Sequence, residues 1–259
     1  MVVSFSNQKG GVAKTTSCVN SIISLKKLKP ESKCCLIDFD AQANASMSFG
    51  FTIPEEIENT VNECLLGLSD IRTCIYETKY GVDIIPSKSY LSGAIITILN
   101  NAIIFPSPVT LLQDIVETIK NEYDYIFIDL PPELGLFTLM GLMASDAVVI
   151  PLQPEARASR GINMLMDNIY NIESKYQKKI KILGILPTMV QATNAHTTIL
   201  QQTRKYFDGY IKVFETTIPR AIKYAEADYF NIPAVEYSDT LNIETKSYEA
   251  FVKECFLNG

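Results

Sequence analysis

Lys9-Gly10-Gly11-Val12-Ala13-Lys14-Thr15-Thr16, reading KGGVAKTT, stands near the start of the 259-residue chain. Residues 2–6 before it form a β-branched and aromatic run. Residues 14–28 after it carry Cys18, Val19, Ile22, Ile23 and Leu25 at helical spacing. The expected order is strand, glycine loop, helix. In that context successive backbone N–H groups of the loop can wrap a phosphate chain and the helix N-terminus adds a favourable field. Lys14 supplies a point charge and the Thr15 hydroxyl a ligand for Mg²⁺. Gln8 and Ala13 stand where the general phosphate-loop pattern has glycine. Ala13 brings a Cβ close to the phosphates, which is safe only if the residue keeps a helix-like negative φ.

Working outward, Pro30 closes the helix, and residues 34–40 (CCLIDFD) read as a buried strand ending in acids. The spacing predicts strands also over 82–86, 125–129 (YIFID), 147–152, 180–186, 213–218 and 234–237. Helices are predicted over 60–66, 111–121, 159–176, 195–207 and 242–257. This alternation indicates an α/β fold, a doubly wound, mostly parallel sheet with helices on both faces, read as one domain over 1–259. In such a sheet ligands bind at the carboxyl ends of the strands, where Asp38, Asp40 and Asp129 fall beside the glycine loop. Acids there can hold Mg²⁺ through its water shell and orient a lytic water, which points to nucleotide hydrolysis.

Composition narrows the class. Hydrophobic residues make up 47% and charged residues 20%, which excludes disordered and collagen-like chains. With 23 Lys+Arg against 29 Asp+Glu, the net charge of -6 leaves no globally basic field, so any DNA contact must come from a local patch. The six cysteines are scattered without a CxxC pair and His196 has no neighbouring ligand set, which argues against zinc. Free thiols and the absence of an export signal suggest a reducing cytoplasm. Residues 89–113 carry no charge, but Gly93, Asn100, Asn101, Pro106 and Pro108 interrupt them, so a membrane span is not expected. Core packing is the expected role of the apolar residues 95–105, with a dimer or partner interface as the alternative. His196 is expected in a capped loop-to-helix junction, and Cys34 and Cys35 as buried apolar filling.

KGGVAKTT with its extra Lys9 resembles the deviant Walker A motif of the ParA/MinD family of P-loop ATPases. Further segments agree along nearly the whole chain: DFDAQAN (38–44), IDLPP (128–132), IPLQPEARASRG (150–161) and TIPRAIKYAEA (217–227). The last of these, with residues 233–238 and the helix after them, favours the ParA branch, which partitions plasmids and chromosomes. The resemblance implies an ATPase with ATP and Mg²⁺ as cofactors, in which Lys9 crosses to the phosphates of a second subunit in an ATP-sandwich homodimer. Gly10, Gly11, Val12 and Ala13 would form the cradle, with Lys14 at the β/γ-phosphates, Thr15 on Mg²⁺ and Thr16 at the α-phosphate. Asp40, with Asp38, would position the attacking water. Asp129 and Asp40 would serve the metal. Thr188, Met189 and Pro219 would lie near the adenine.

For partners, the resemblance implies nonspecific DNA bound through Arg220 and Lys223, and a centromere-binding ParB-type adaptor that stimulates hydrolysis. The protein would be cytoplasmic and nucleoid-associated. Pairing two subunits doubles a weak patch, and counterion release rewards every phosphate neutralised, so DNA binding should need the dimer. No helix-turn-helix is expected before residue 1. A MinD-type regulator recruited to membranes is the alternative; it needs a basic amphipathic C-terminal helix, whereas residues 248–259 offer Lys253 against Glu249 and Glu254. Ala13, Ala41 and Glu133 depart from the family pattern, and ATP binding is expected to survive them.

Overall fold

β1 (Val2–Phe5) lies near the middle of a six-stranded sheet with β2 (Cys34–Asp38), β3 (Asp83–Ile85), β4 (Tyr125–Asp129), β5 (Ala147–Leu152) and β6 (Lys181–Pro187), in the order β3-β2-β4-β1-β5-β6. Every neighbouring pair is parallel. The computed structural model describes residues 1–51, 56–133, 135–155, 158–237 and 243–258.

Both faces of the strands are apolar, so successive side chains enter opposite cores. Cys35, Ile37, Ile126 and Ile128 face one core; Cys34, Leu36 and Phe127 face the other. The second core is covered by α1 (Lys14–Leu28) and α10 (Ile243–Val252), whose Tyr248, Phe251 and Val252 pack with Cys18, Val19 and Ile22. The first core is covered by the chain from α3 (Val61–Leu65) through α4 (Leu91–Asn100), α5 (Leu111–Glu117) and α6 (Leu136–Ala144) to α7 (Ala158–Tyr176). α2 (Asn44–Ser48), α8 (Asn194–Phe207) and α9 (Ile222–Tyr229) complete the element order.

Two expected strands do not form. Over 213–218 only Val213 makes a bridge, to Ile185, and the N–H groups of Glu215 and Thr216 donate instead to the Glu254 carboxylate, which interrupts the pairing until Ile218 N–H reaches the Pro187 carbonyl. Residues 234–237 form a turn after Pro233, with Glu236 N–H donating to the Pro233 carbonyl and Val235 N–H to Asn20 Oδ1. The closing helix stops at Val252 and continues as a π-turn over Lys253–Leu257, while Asn242 lies outside the described residues. α6 is apolar nearly all round, so it carries no amphipathic period for a sequence reading to find. Its Gly141 is required by close packing, since a Cβ there would come within 2.2 Å of Leu130.

The uncharged 89–113 stretch divides between two environments. Leu91, Ala94, Ile98 and Phe105 are core residues, whereas Ile96, Leu99, Ile103 and Ile104 are exposed, Ile103 by 98%. Among the described residues no helix is long and apolar enough to cross a membrane. Thr193 caps α8 by accepting from His196 N–H, and His196 Nδ1 accepts from Gln191 N–H, so His196 is the junction residue expected. Cys34 and Cys35 are buried filling in β2.

Candidate active site

The loop between β1 and α1 is anchored from beneath by residues that are neither glycine nor charged. Asn7, buried at the end of β1, donates through Nδ2 to the Pro151 carbonyl of β5 at 2.7 Å and accepts from Lys9 N–H at 3.0 Å. Thr188, fully buried after β6, donates its hydroxyl to the Val12 carbonyl at 3.0 Å. Asn7 had no motif to announce it; its signal was only a polar residue ending an apolar strand.

Gly11 and Ala13 both have positive φ, 70° and 59°. Ala13 therefore lacks the negative φ on which its Cβ was expected to be safe; it enters α1 in the left-handed region, with the Cβ strain that glycine avoids. Ala13→Gly is expected to stabilise the protein by about 0.5–1 kcal/mol, because relief of that strain exceeds the added freedom of the unfolded chain. Thermal midpoints of the two proteins in the same buffer check this; a lower midpoint for the glycine variant would contradict it.

Lys14, in the first turn of α1, is 7% exposed, and its Nζ donates to the Lys9 carbonyl at 3.1 Å. Burial lowers its pKa, while Asp129 and Asp40 oppose that shift by favouring the charged form. Asp38 and Asp129 are register partners at the carboxyl ends of β2 and β4. Burial, the neighbouring Asp38 charge and Asp40 push the Asp129 carboxyl well up, with Thr15 and Lys14 working the other way. Neither Asp129 oxygen has a hydrogen bond of normal geometry, although both are buried. Two orphaned carboxylate oxygens beside the Thr15 hydroxyl are a fitting donor set for a hard divalent cation such as Mg²⁺.

The two acids of β2 and the turn after it have different surroundings. Asp38 Oδ2 accepts from both Ser46 N–H and Ser46 Oγ at 2.7 Å, and Oδ1 from Asp40 N–H at 3.3 Å. Burial raises its pKa to about 6 against these hydrogen bonds. The Asp40 carboxylate accepts, among the described residues, from Gln42 N–H alone, and Asp40 lines the cavity beside the loop.

That cavity has a volume of 460 Å³ and is lined on one side by Gly10, Gly11, Ala13, Lys14, Thr15 and Thr16. Val19 and Asn20 of α1, Asp40, Gln42 and Asn44 continue the wall, and Tyr224, Ala225, Asp228 and Pro233 close it. Tyr224, Ala225 and Asp228 of α9 and Pro233 after it were not among the nucleotide residues expected from the sequence, which singled out Lys223 of α9 as a DNA contact. Thr188, Met189 and Pro219 do come together, through a bridge between Val190 and Pro219, but none of them lines this cavity. Val12 is buried in the loop, Asp129 is fully buried beside Thr15 and does not line the cavity, and Lys9 is exposed, its ammonium pairing with Glu155. Arg220 is exposed, its N–H donating to the Val190 carbonyl, and Lys223 is half-buried on α9. Neither has a carboxylate partner among the described residues. Arg204, by contrast, is held by Glu215 and the Val213 and Phe214 carbonyls.

Comparison with known proteins follows the same lines. A family model described as an AAA domain matches residues 1–182. The sporulation initiation inhibitor protein Soj of Bacillus subtilis is 34% identical over 260 aligned residues, covering 100% of this chain and 99% of Soj. The chain belongs to the Soj/ParA family of partitioning ATPases. The chromosome partitioning protein ParA of Myxococcus xanthus is 33% identical over 97% of this chain and 85% of its own length. A putative plasmid partition protein of Borrelia burgdorferi, solved bound to AMPPNP, superposes with a TM-score of 0.80 at 25% identity, covering 99% of this chain and 98% of that one. Cobyrinic acid a,c-diamide synthase of Mycobacterium smegmatis, solved with an ATP analog and magnesium, gives a TM-score of 0.81 at 27% identity over 97% and 92%. As a Soj/ParA-family ATPase, the chain hydrolyses ATP.

Proposed function

We propose that this ATPase partitions DNA by forming an ATP-sandwich homodimer that holds DNA nonspecifically and releases it when a centromere-binding, ParB-type adaptor stimulates hydrolysis. The observation that carries this reading is the position of Lys9. It belongs to the glycine loop, yet its side chain leaves the cavity that Gly10, Gly11 and Lys14 line and pairs at the surface with Glu155. A lysine so placed is free to exchange Glu155 for the phosphates of a second subunit. Lys14 would then hold the β/γ-phosphates, Thr15 and Asp129 the Mg²⁺ and its water shell, Thr16 the α-phosphate, and Asp40 the attacking water. Bound Mg²⁺ would neutralise charge on the phosphates. The base and sugar would extend toward α9 and Pro233, or toward Thr188, Met189 and Pro219.

Arg220 and Lys223 support the DNA part. They are basic side chains on one segment, without acidic partners among the described residues, and two copies would add their counterion release on one duplex. Against a membrane role stands α10, whose Tyr248, Phe251 and Val252 are buried against α1 and are therefore not presented to lipid. The test is retention on random-sequence DNA with ATP, with ADP and without nucleotide, beside anionic liposomes. ATP-selective, salt-sensitive retention on DNA is expected; binding to liposomes alone would overturn the reading in favour of a MinD-type regulator. Arg220→Glu is expected to abolish retention at physiological salt while ATP affinity stays within about twofold, since it removes one phosphate contact from each subunit of the dimer and puts a repelling carboxylate in its place. Unchanged retention would remove Arg220 from the interface.

A further inference from the structure

Cys64 and Cys74, among six cysteines with no paired spacing in the sequence, meet in the fold. Cys64 is on α3 and Cys74 closes the 3-10 turn Ile71–Cys74; their Sγ atoms are 2.8 Å apart, with the Cys64 thiol donating to Cys74. Both are buried in the core that α3 and α5 share, and both are free thiols. Their ten-residue separation is bridged by a turn whose Leu68 is exposed, and the corner is held by the Thr60 capping box and the Glu63–Lys88 ion pair. None of these residues lines the nucleotide cavity.

The other four thiols are chemically quieter. Burial pushes up the pKa of Cys18, Cys34, Cys35 and Cys255. Cys74 alone moves down, chiefly because the Cys64 thiol donates to it and the Thr73 hydroxyl helps, while burial and the Glu63 and Asp70 charges oppose the shift. Cys64, the donor, moves up for the same reason. A thiolate stabilised by a neighbouring thiol is the arrangement of an attacking sulfur with its resolving partner in place.

We propose that Cys64 and Cys74 form a redox-active dithiol, a modification site that small-molecule disulfides of the glutathione class oxidise to an intramolecular disulfide. Cys74 gives up its proton to solvent and its thiolate attacks one sulfur of the small disulfide, breaking its S–S bond and releasing one thiolate, which takes up a proton. Cys64 then loses its proton and attacks the Cys74 sulfur of the mixed disulfide, expelling the second small thiolate, which is protonated in turn. Two protein thiols are oxidised by two electrons and one small disulfide is reduced to two thiols. Because Cys74 is fully enclosed and Cys64 only 6% exposed, reaction requires the corner around residues 66–72 to open locally. The product ties α3 to the following turn and closes a short loop far from the phosphate cradle.

The test treats the reduced, full-length folded protein with oxidised glutathione and, after quenching, counts free thiols under denaturing conditions alongside peptide mapping. The expected result is a fall from six free thiols to four, a mass loss of about 2 Da, and one cross-linked peptide pair joining residues 64 and 74. The cross-link should be absent from Cys64→Ser, which should keep a glutathione adduct at Cys74, and from Cys74→Ser, which has lost the attacking sulfur and should take up no glutathione at residue 64; it should persist in Cys255→Ser. Six thiols still free, a stable glutathione adduct on the unaltered chain, or a cross-link between other cysteines would each overturn the proposal. The cross-link itself is measured on the unaltered chain, so the proposal stands or falls there even where a serine variant fails to fold.

Discussion

Asp40→Ala is expected to yield a folded protein that still binds ATP and whose turnover has fallen by about 10²-fold or more, the range lost when a positioned acid or base is removed. Asp38→Asn is expected to lower turnover by less than about tenfold on the same scale. Residue type and position alone do not separate the two acids; only the family resemblance put Asp40 ahead of Asp38. Their hydrogen bonds separate them, because Asp38 has one oxygen committed to the N–H and hydroxyl of Ser46 and the other to Asp40 N–H, inside the protein. Asparagine can keep accepting from Ser46, which is why it is the informative replacement there. Asp40 is 9% exposed and lines the cavity, and among the described residues its carboxylate accepts one bond, from Gln42 N–H at Oδ1, leaving Oδ2 for a water. Single-turnover hydrolysis with ATP affinity measured separately checks both. Equal losses in the two variants would mean that Asp38 reaches the reaction by a route its hydrogen bonds conceal, and rapid hydrolysis by Asp40→Ala would remove Asp40 from the mechanism.

The parallel sheet was legible because its physics is local. Strands buried on both faces read as continuous apolar runs, and YIFID and CCLID could hardly be anything else. The phosphate loop was legible because Gly10, Gly11, Lys14 and Thr15 are chemically constrained in spacing. What could not be read were the features set by distant partners. Residues 213–218 have strand composition, but Glu254, far along the chain, takes the N–H groups a ladder would use. The bond from the Thr188 hydroxyl to the Val12 carbonyl, and the role of Asn7, which depends on Pro151 across the sheet, have no local signal. Ala13 could be flagged as a departure, yet the sign of its φ follows from how the loop enters α1. Cys64 and Cys74 have no paired spacing and meet because the chain after α3 turns back and brings the 3-10 turn Ile71–Cys74 against it.

Asp129→Asn is expected to abolish Mg²⁺-dependent turnover and, in the same protein, to raise the thermal midpoint of the nucleotide-free state by roughly 5 °C at pH 8. Burial and the adjacent Asp38 charge hold the Asp129 carboxyl well above its ordinary value, so its ionised form is unfavourable in the native state without a cation. Asp38 shifts in the same direction, from 3.8 to about 6. A carboxyl whose folded pKa exceeds its unfolded pKa binds protons more tightly when folded. Its contribution is therefore fully present below about pH 4 and is lost as pH rises through the folded value, about 6 for Asp38 and higher than its ordinary range for Asp129. Asparagine carries no charge at any pH in this window, and its neutral neighbour lets Asp38 ionise more easily. The stabilisation by Asp129→Asn should accordingly grow between about pH 4 and pH 8 in EDTA and vanish toward the acid end. With Mg²⁺ and ATP present the order should reverse, because the cation supplies the positive charge that the buried pair lacks and only the unaltered chain can hold it. A variant less stable than the parent in EDTA at pH 8 would show that the two carboxylates are already compensated, by Lys14 or by water, and the metal reading of Asp129 would lose its physical basis.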